Sequence, residues 1–310
     1  MRADLIIQHA RELILFKDEK LAMPEPVAVA DGAVVIKDGI ILDLGETSRI
    51  LREWSAEAYL DASGKMLLPG FVDAHTHPVF LHTREREFTM RLEGKTYVDI
   101  SLAGGGIRST LATTQKADTE TLFELASQRL RRMLELGTTT VEAKSGYGLT
   151  TESELKQLAV IQCLQKELPM DIAATFMGAH EYPAEYKNNH EAYLTILCEE
   201  MIPSVAEQGI AEFCDIFTEA HVYSLDESRR VLETARKYGL KLKMHADEIE
   251  PIGGAELAAE LGCISADHLG AASDVGIKAL KQAGVVACLL PANPYRKKST
   301  PGPWTPGTRV

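Results

Sequence analysis

Paired thiols, long apolar runs and an excess of positive charge are all missing from these 310 residues. The five cysteines, Cys163, Cys198, Cys214, Cys263 and Cys288, are odd in number and never spaced Cys-x-x-Cys. Neither a disulfide framework nor a thiolate zinc site is expected, and a reducing cytoplasm fits. No apolar stretch approaches the ~20 residues of a membrane-spanning helix. The N-terminus MRADLIIQHARE carries acids where a secretory signal would be basic and then apolar, so a cytoplasmic chain without a membrane is expected. Thirty-three Lys and Arg against 45 Asp and Glu leave a formal charge of −12, which argues against broad electrostatic binding to nucleic acid and for a small-molecule partner. What is present is ordinary globular material: 45% hydrophobic and 25% charged residues, enough for a sizeable core.

Two textures follow one another along the chain. Residues 1–66 read as short strands, with Asp31-Gly32 before AVVI and Asp38-Gly39 before IIL as hairpin turns, giving a small β-sandwich-like region. Residues 67–291 alternate short apolar strands with amphipathic helices, the pattern of βα units around a parallel sheet. The helix after Asp118 places Leu122, Leu125, Ala126, Leu130, Met133 and Leu134 on one face and ends at Gly137. Thr151 with Glu154, and Ser224 with Glu227, have capping-box spacing. The strands FVDAH, TTVEAK, DIAATFMG, EFCDIFTE, LKLKMHAD, CISADH and VVACLL are seven. Several end in His, Glu or Asp, and barrels carry chemistry at C-terminal strand ends, so a TIM-like (β/α) barrel lacking its eighth strand is expected. Residues 292–310, rich in Pro, Gly and Thr, read as an irregular tail.

His75 and His77 close the first barrel strand, and residues two apart on a strand share a face, so both imidazoles can enter the barrel mouth. His245 and His268 end the fifth and sixth strands. Neutral imidazoles at one rim suit zinc or iron with a position left for water, whereas polar strand ends are the plain alternative. Glu248 lies where the chain turns over that mouth and could take a proton from water there; a solvent carboxylate is the alternative. Arg84 could fork onto a substrate carboxylate, with Arg86 as its rival and salt bridges to Glu85 or Glu87 as the plain reading. The loops Lys144-Ser145-Gly146-Tyr147-Gly148 and Gly178-Ala179-His180 follow the second and third strands. Gly104-Gly105-Gly106 lacks the Gly-x-x-Gly continuation of a nucleotide-binding fingerprint.

GFVDAHTHP resembles the amidohydrolase superfamily. LLPGFVDAHTHPVF, GTTTVEAKSGYGL, SELKQL, ATFMGAHEYP, DIFTE, KMHADEI, GGAELAAELG, SADHL and ACLLP together resemble its imidazolonepropionase family over nearly all of residues 60–291. The resemblance implies one zinc or iron ion, Fe2+ or Fe3+, per subunit on His75, His77 and His245. It implies Arg84 on a propionate carboxylate, Tyr147 and His180 on an imidazolone ring, Glu248 as general base also touching substrate, and His268 orienting water or the ring carbonyl. The implied reaction opens 4-imidazolone-5-propanoate to N-formimidoyl-L-glutamate in histidine degradation. The family continues to an eighth strand with an Asp-Phe-Asn-Pro-like motif, which is not found here. A guanine-deaminase-like cyclic amidine hydrolase and an inactive remnant remain the competing readings. A two-metal hydrolase would want a bridging Lys in EFCDIFTE, which has none, so one metal is expected. A homodimer stays open.

Overall fold

The computed structural model describes residues 1–16, 25–95 and 107–290. The glycine run 104–106 and the tail 292–310 lie outside the described residues. The chain divides into two compact units, Met1–Phe71 and Val72–Val310.

The first unit is a five-stranded sheet built from β1 (Arg2–Phe16), β2 (Pro26–Lys37), β3 (Ile40–Glu46), β4 (Ser55–Asp61) and β5 (Met66–Leu67), in the order β3-β2-β1-β4 with β5 also on β1. Helix α1 (Thr47–Glu53) lays Ile50 against Ala3, Ile6, Ala33 and Val35, all buried. Pairing of Met66 with Glu12 and of Leu67 with Leu13 draws β5 into this sheet. The two Asp-Gly pairs behave differently. Asp38 (φ 51°) and Gly39 (φ 76°) make the tight turn between β2 and β3, as a primed hairpin turn requires. Asp31-Gly32 sits inside β2 and turns nothing: the register passes from Ile7 opposite Val34 to Ala10 opposite Gly32, so the extra residue is absorbed as a bulge. Left-handed Asp31 (φ 46°) and His9 (φ 59°) flank it, with His9 Nδ1 3.0 Å from Asp31 Oδ1.

The second unit is a parallel sheet in chain order, β6 (Phe71–Thr76), β7 (Thr138–Lys144), β8 (Asp171–Ala179), β9 (Phe213–Thr218), β10 (Lys241–Ala246), β11 (Ser265–His268) and β12 (Val286–Leu289). These are the seven expected strands. The sheet curls far enough for a β6 side chain to hydrogen-bond to one on β11, giving a nearly closed barrel. Among the described residues β6 and β12 are its end strands, with Val72 and Val286 exposed. Nine α-helices among the described residues complete the unit: α2 (Glu85–Leu92), α3 (Ile107–Lys116), α4 (Thr119–Glu135), α5 (Thr151–Glu167), α6 (His190–Ile196), α7 (Ile202–Gln208), α8 (Leu225–Lys237), α9 (Gly254–Glu260) and α10 (Asp274–Ala283). None is long and apolar enough to cross a membrane.

Helix starts follow cap chemistry. Asp118 accepts from the Thr121 amide at 2.7 Å to open α4. Ser224 and Glu227 form the reciprocal box at α8, with the Ser224 amide donating to Glu227 Oε2 at 2.7 Å. The expected box at Thr151 does not form. Thr150 caps α5 instead, and Glu154 is drawn away to the loop before it.

Candidate active site

Strand pleating brings His75, His245 and His268, from the ends of β6, β10 and β11, to one place: one ring nitrogen of each lies within 4.8 Å of the others. His77 is part of the same cluster, with ring centroids 5.3 Å from His75 and 5.5 Å from His245. Its Nδ1 is buried without a hydrogen-bond partner. A buried orphan imidazole beside three converging ones is a donor set that fits a borderline-soft metal ion. Sequence reasoning set His268 apart from the ligands; the structure places it among the grouped donors, and His77 beside them.

Behind the imidazoles lies a charged layer that the sequence reading passed over. His75 Nδ1 is 2.7 Å from Asp267 Oδ2. Asp215 Oδ1 accepts the His245 amide at 3.1 Å, and its Oδ2 is 2.9 Å from His245 Nδ1 without the alignment of a hydrogen bond. Lys144 Nζ donates to Asp215 Oδ2 at 2.7 Å, to Glu142 Oε1 at 2.8 Å and to Asp267 Oδ2 at 3.3 Å; Lys243 Nζ donates to Glu142 Oε2 at 2.7 Å. All five charged groups are buried. Burial works against the Lys144 charge, but the three carboxylates outweigh it and hold its pKa above the usual lysine value. Burial likewise opposes ionisation of Asp267, and Lys144 and His75 overcome it, leaving the carboxyl below its usual range. One signal was available: Glu142-x-Lys144 and Lys243-x-His245 repeat the two-residue spacing of His75-x-His77 inside apolar strands, marking one inward face.

The loop after β7 is held from the helix that follows it. Glu154 Oε1 accepts the amides of Gly148 and Leu149, both at 2.8 Å, and its Oε2 accepts that of Gly146 at 3.0 Å. Gly146, at φ 107°, leaves room for His180, whose Nδ1–H donates to the Gly146 carbonyl at 2.9 Å. This aims Tyr147 and His180 at the cluster. Their rings are 5.4 Å apart, His180 stacks on His77 at 4.9 Å, and Tyr147 stands 5.9 Å from His77. Burial pushes His180 down to about 4, so it is neutral at physiological pH. Burial pushes Tyr147 upward, opposed by the positive charges of Arg84 and Arg129.

Arg84 therefore lies close enough for its charge to act on both Tyr147 and His180. Its side chain is 42% exposed and makes a long 4.0 Å ion pair with Glu87, so the guanidinium is accessible to a ligand. Glu248 Oε2 is 3.7 Å from His268 Nδ1 at the mouth. Two carboxylates fix its loop: Glu219 accepts the Ile249 amide at 2.8 Å, and Asp247 collects the amides of Ile252, Gly253, Gly254 and Ala255 at the start of α9. Asp247 (φ 47°), His268 (φ 73°) and Leu269 (φ 55°) adopt left-handed backbone at these strand ends, strain of the kind that accompanies functional sites.

No family model matches the chain. Solved structures share its architecture: a 5-methylcytosine deaminase from Klebsiella pneumoniae, at TM-score 0.65 and 18% identity over 96% of this chain and 70% of that one. An adenosine deaminase from Xanthomonas campestris with bound zinc superposes at TM-score 0.61 and 16% identity, covering 97% of this chain and 66% of that one. Fold and strand-end histidines thus define a (β/α) barrel of the kind these structures share, with a histidine cluster at its strand ends. Sequence comparison narrows this. An imidazolonepropionase from Clostridium tetani is 49% identical over 269 residues, 86% of this chain and 64% of its own length. One from Geobacillus sp. is 48% identical over 301 residues, 94% of this chain and 71% of its own length. One from Parabacteroides distasonis is 43% identical over 312 residues, 99% and 74%. The chain belongs to the imidazolonepropionase family and spans about two thirds to three quarters of the length of these relatives.

Proposed function

We propose that this site is built for the imidazolonepropionase reaction, hydrolysis of a ring amide C–N bond of 4-imidazolone-5-propanoate to give N-formimidoyl-L-glutamate, in the cytoplasm. The observation that carries it is the grouping around the histidine cluster: Glu248 Oε2 lies 3.7 Å from His268 Nδ1, and the Tyr147 and His180 rings, both within reach of the Arg84 charge, stand against His77. One zinc or iron ion on His75, His77 and His245 would polarise the ring carbonyl and lower the pKa of water at the site towards ~7.

The chain's own groups supply the rest. Arg84 forks onto the propionate carboxylate, which a neutral side chain cannot do as well. Tyr147 and neutral His180 line the imidazolone ring, held in place by the Glu154 cradle. Glu248 takes the proton of the attacking water and returns it to the ring nitrogen as the C–N bond breaks, while His268 orients the water or the carbonyl. The test is an assay of purified residues 1–310, loaded with zinc or iron, for binding and loss of imidazolone propionate, with guanine as control substrate. Selective binding and turnover of the carboxylate-bearing ring is the expected result. A folded, metal-bearing chain that ignores it, or that deaminates guanine instead, overturns the reading.

A further inference from the structure

Lys144 has no part in that reaction, yet its ammonium is the best-connected cation in the barrel. It donates to Asp215 Oδ2 at 2.7 Å and to Asp267 Oδ2 at 3.3 Å, with no solvent exposure on any of the three. Those two carboxylates and His245 form a second group whose donor atoms lie within 4.8 Å of one another. His245 Nδ1 is aimed into this group, buried, 2.9 Å from Asp215 Oδ2 and without a hydrogen bond of its own. Two carboxylates and an imidazole are a donor set that suits a divalent ion. We infer that the Lys144 ammonium stands in a second cation position, formed by Asp215, His245 and Asp267, and restricts the centre to a single metal ion.

The charge count argues the same way. Glu142, Asp215 and Asp267 are offset by Lys144 and Lys243. Loss of Lys144 would leave buried carboxylates uncompensated, a strongly unfavourable state unless another cation enters. Ammonium and metal are mutually exclusive there, because both need the same carboxylate oxygens. The absence of a bridging Lys in EFCDIFTE pointed to one metal; in the structure a lysine from β7 supplies a physical reason. The inference rests on reading the neighbouring histidine cluster as the metal centre.

The experiment compares wild-type residues 1–310 with Lys144→Met, each refolded or dialysed with excess zinc, freed of loose ion and analysed for bound zinc per chain. The variant is expected to hold one equivalent more than wild type, and Lys144→Met/Asp215→Asn is expected to lose that extra equivalent. Equal zinc in wild type and Lys144→Met overturns the inference, as does an extra equivalent that survives Asp215→Asn. If Lys144→Met folds only when zinc is supplied, the ion has replaced the ammonium and the inference stands. If it stays unfolded in excess zinc, the inference falls. A wild-type chain without zinc would sink the proposed metal centre, while the difference of one equivalent would still decide this point.

Discussion

His75 on β6 and Asp267 on β11, 192 residues apart in sequence, meet with Nδ1 2.7 Å from Oδ2 in the buried interior of the barrel. Because the Asp267 carboxyl is held below its usual range, the bond runs from Nδ1–H to the carboxylate, which fixes the tautomer and leaves Nε2 for a ligand. Asp267→Asn removes that preference. Zinc affinity, read by competition with a chromophoric chelator, should fall about 10- to 100-fold. Unchanged affinity would mean that His75 is oriented by something other than Asp267.

Arg84 can be removed without disturbing the core, since its side chain is 42% exposed and its ion pair with Glu87 is a long 4.0 Å. Arg84→Met should raise KM for imidazolone propionate strongly while kcat and melting temperature stay close to wild type. A KM equal to wild type would assign carboxylate recognition to another cation.

Glu248 and metal retention should separate. Glu248→Gln is expected to bind metal as wild type does and to lose about 10²–10⁴ in kcat, the usual worth of a placed general base. Normal turnover in the variant would reduce Glu248 to a loop carboxylate beside His268.

Glu154→Gln tests the cradle. An amide can accept at one position only and presents N–H to amides that already donate, leaving at least one buried donor unsatisfied. A loss of about 1–3 kcal/mol on chemical unfolding is expected, together with a raised KM as Tyr147 and His180 lose their aim. Wild-type stability would show that Gln157, whose Oε1 accepts the Tyr147 amide at 3.3 Å, and the helix alone hold the loop.

Asp43 gives a pH dependence in the first unit. Hydrogen bonds from Arg49 lower its carboxyl, partial burial opposes them, and the Trp54 indole N–H adds to them, giving about 2 against an ordinary 3.8. The folded pKa is depressed, so this contribution to stability is fully present above 3.8 and is lost as pH falls towards 2. Asp43→Asn should therefore be less stable than wild type at neutral pH, with the gap narrowing below pH 3.8. A gap that is constant across that window would mean the carboxylate charge contributes nothing.

Local pattern carried much of this protein. The strands FVDAH to VVACLL were countable because each is a short apolar run between amphipathic helices, and the Ser224 box was legible because its partner is three residues away. His75-x-His77 declared itself through strand periodicity alone. What the sequence did not contain is any contact made by the curl of the sheet or by loops folding back. Nothing local distinguishes Asp31-Gly32, a bulge enforced by the register of β1, from Asp38-Gly39, a true turn. Glu154 has capping-box spacing but is won by three loop amides that its own helix cannot offer. Lys144, Asp215 and Asp267 come from three strands and find one another only when the sheet bends them inward. Sequence periodicity determines which face a side chain joins; the distance between faces, and so which charges share a cation, is decided by tertiary curvature.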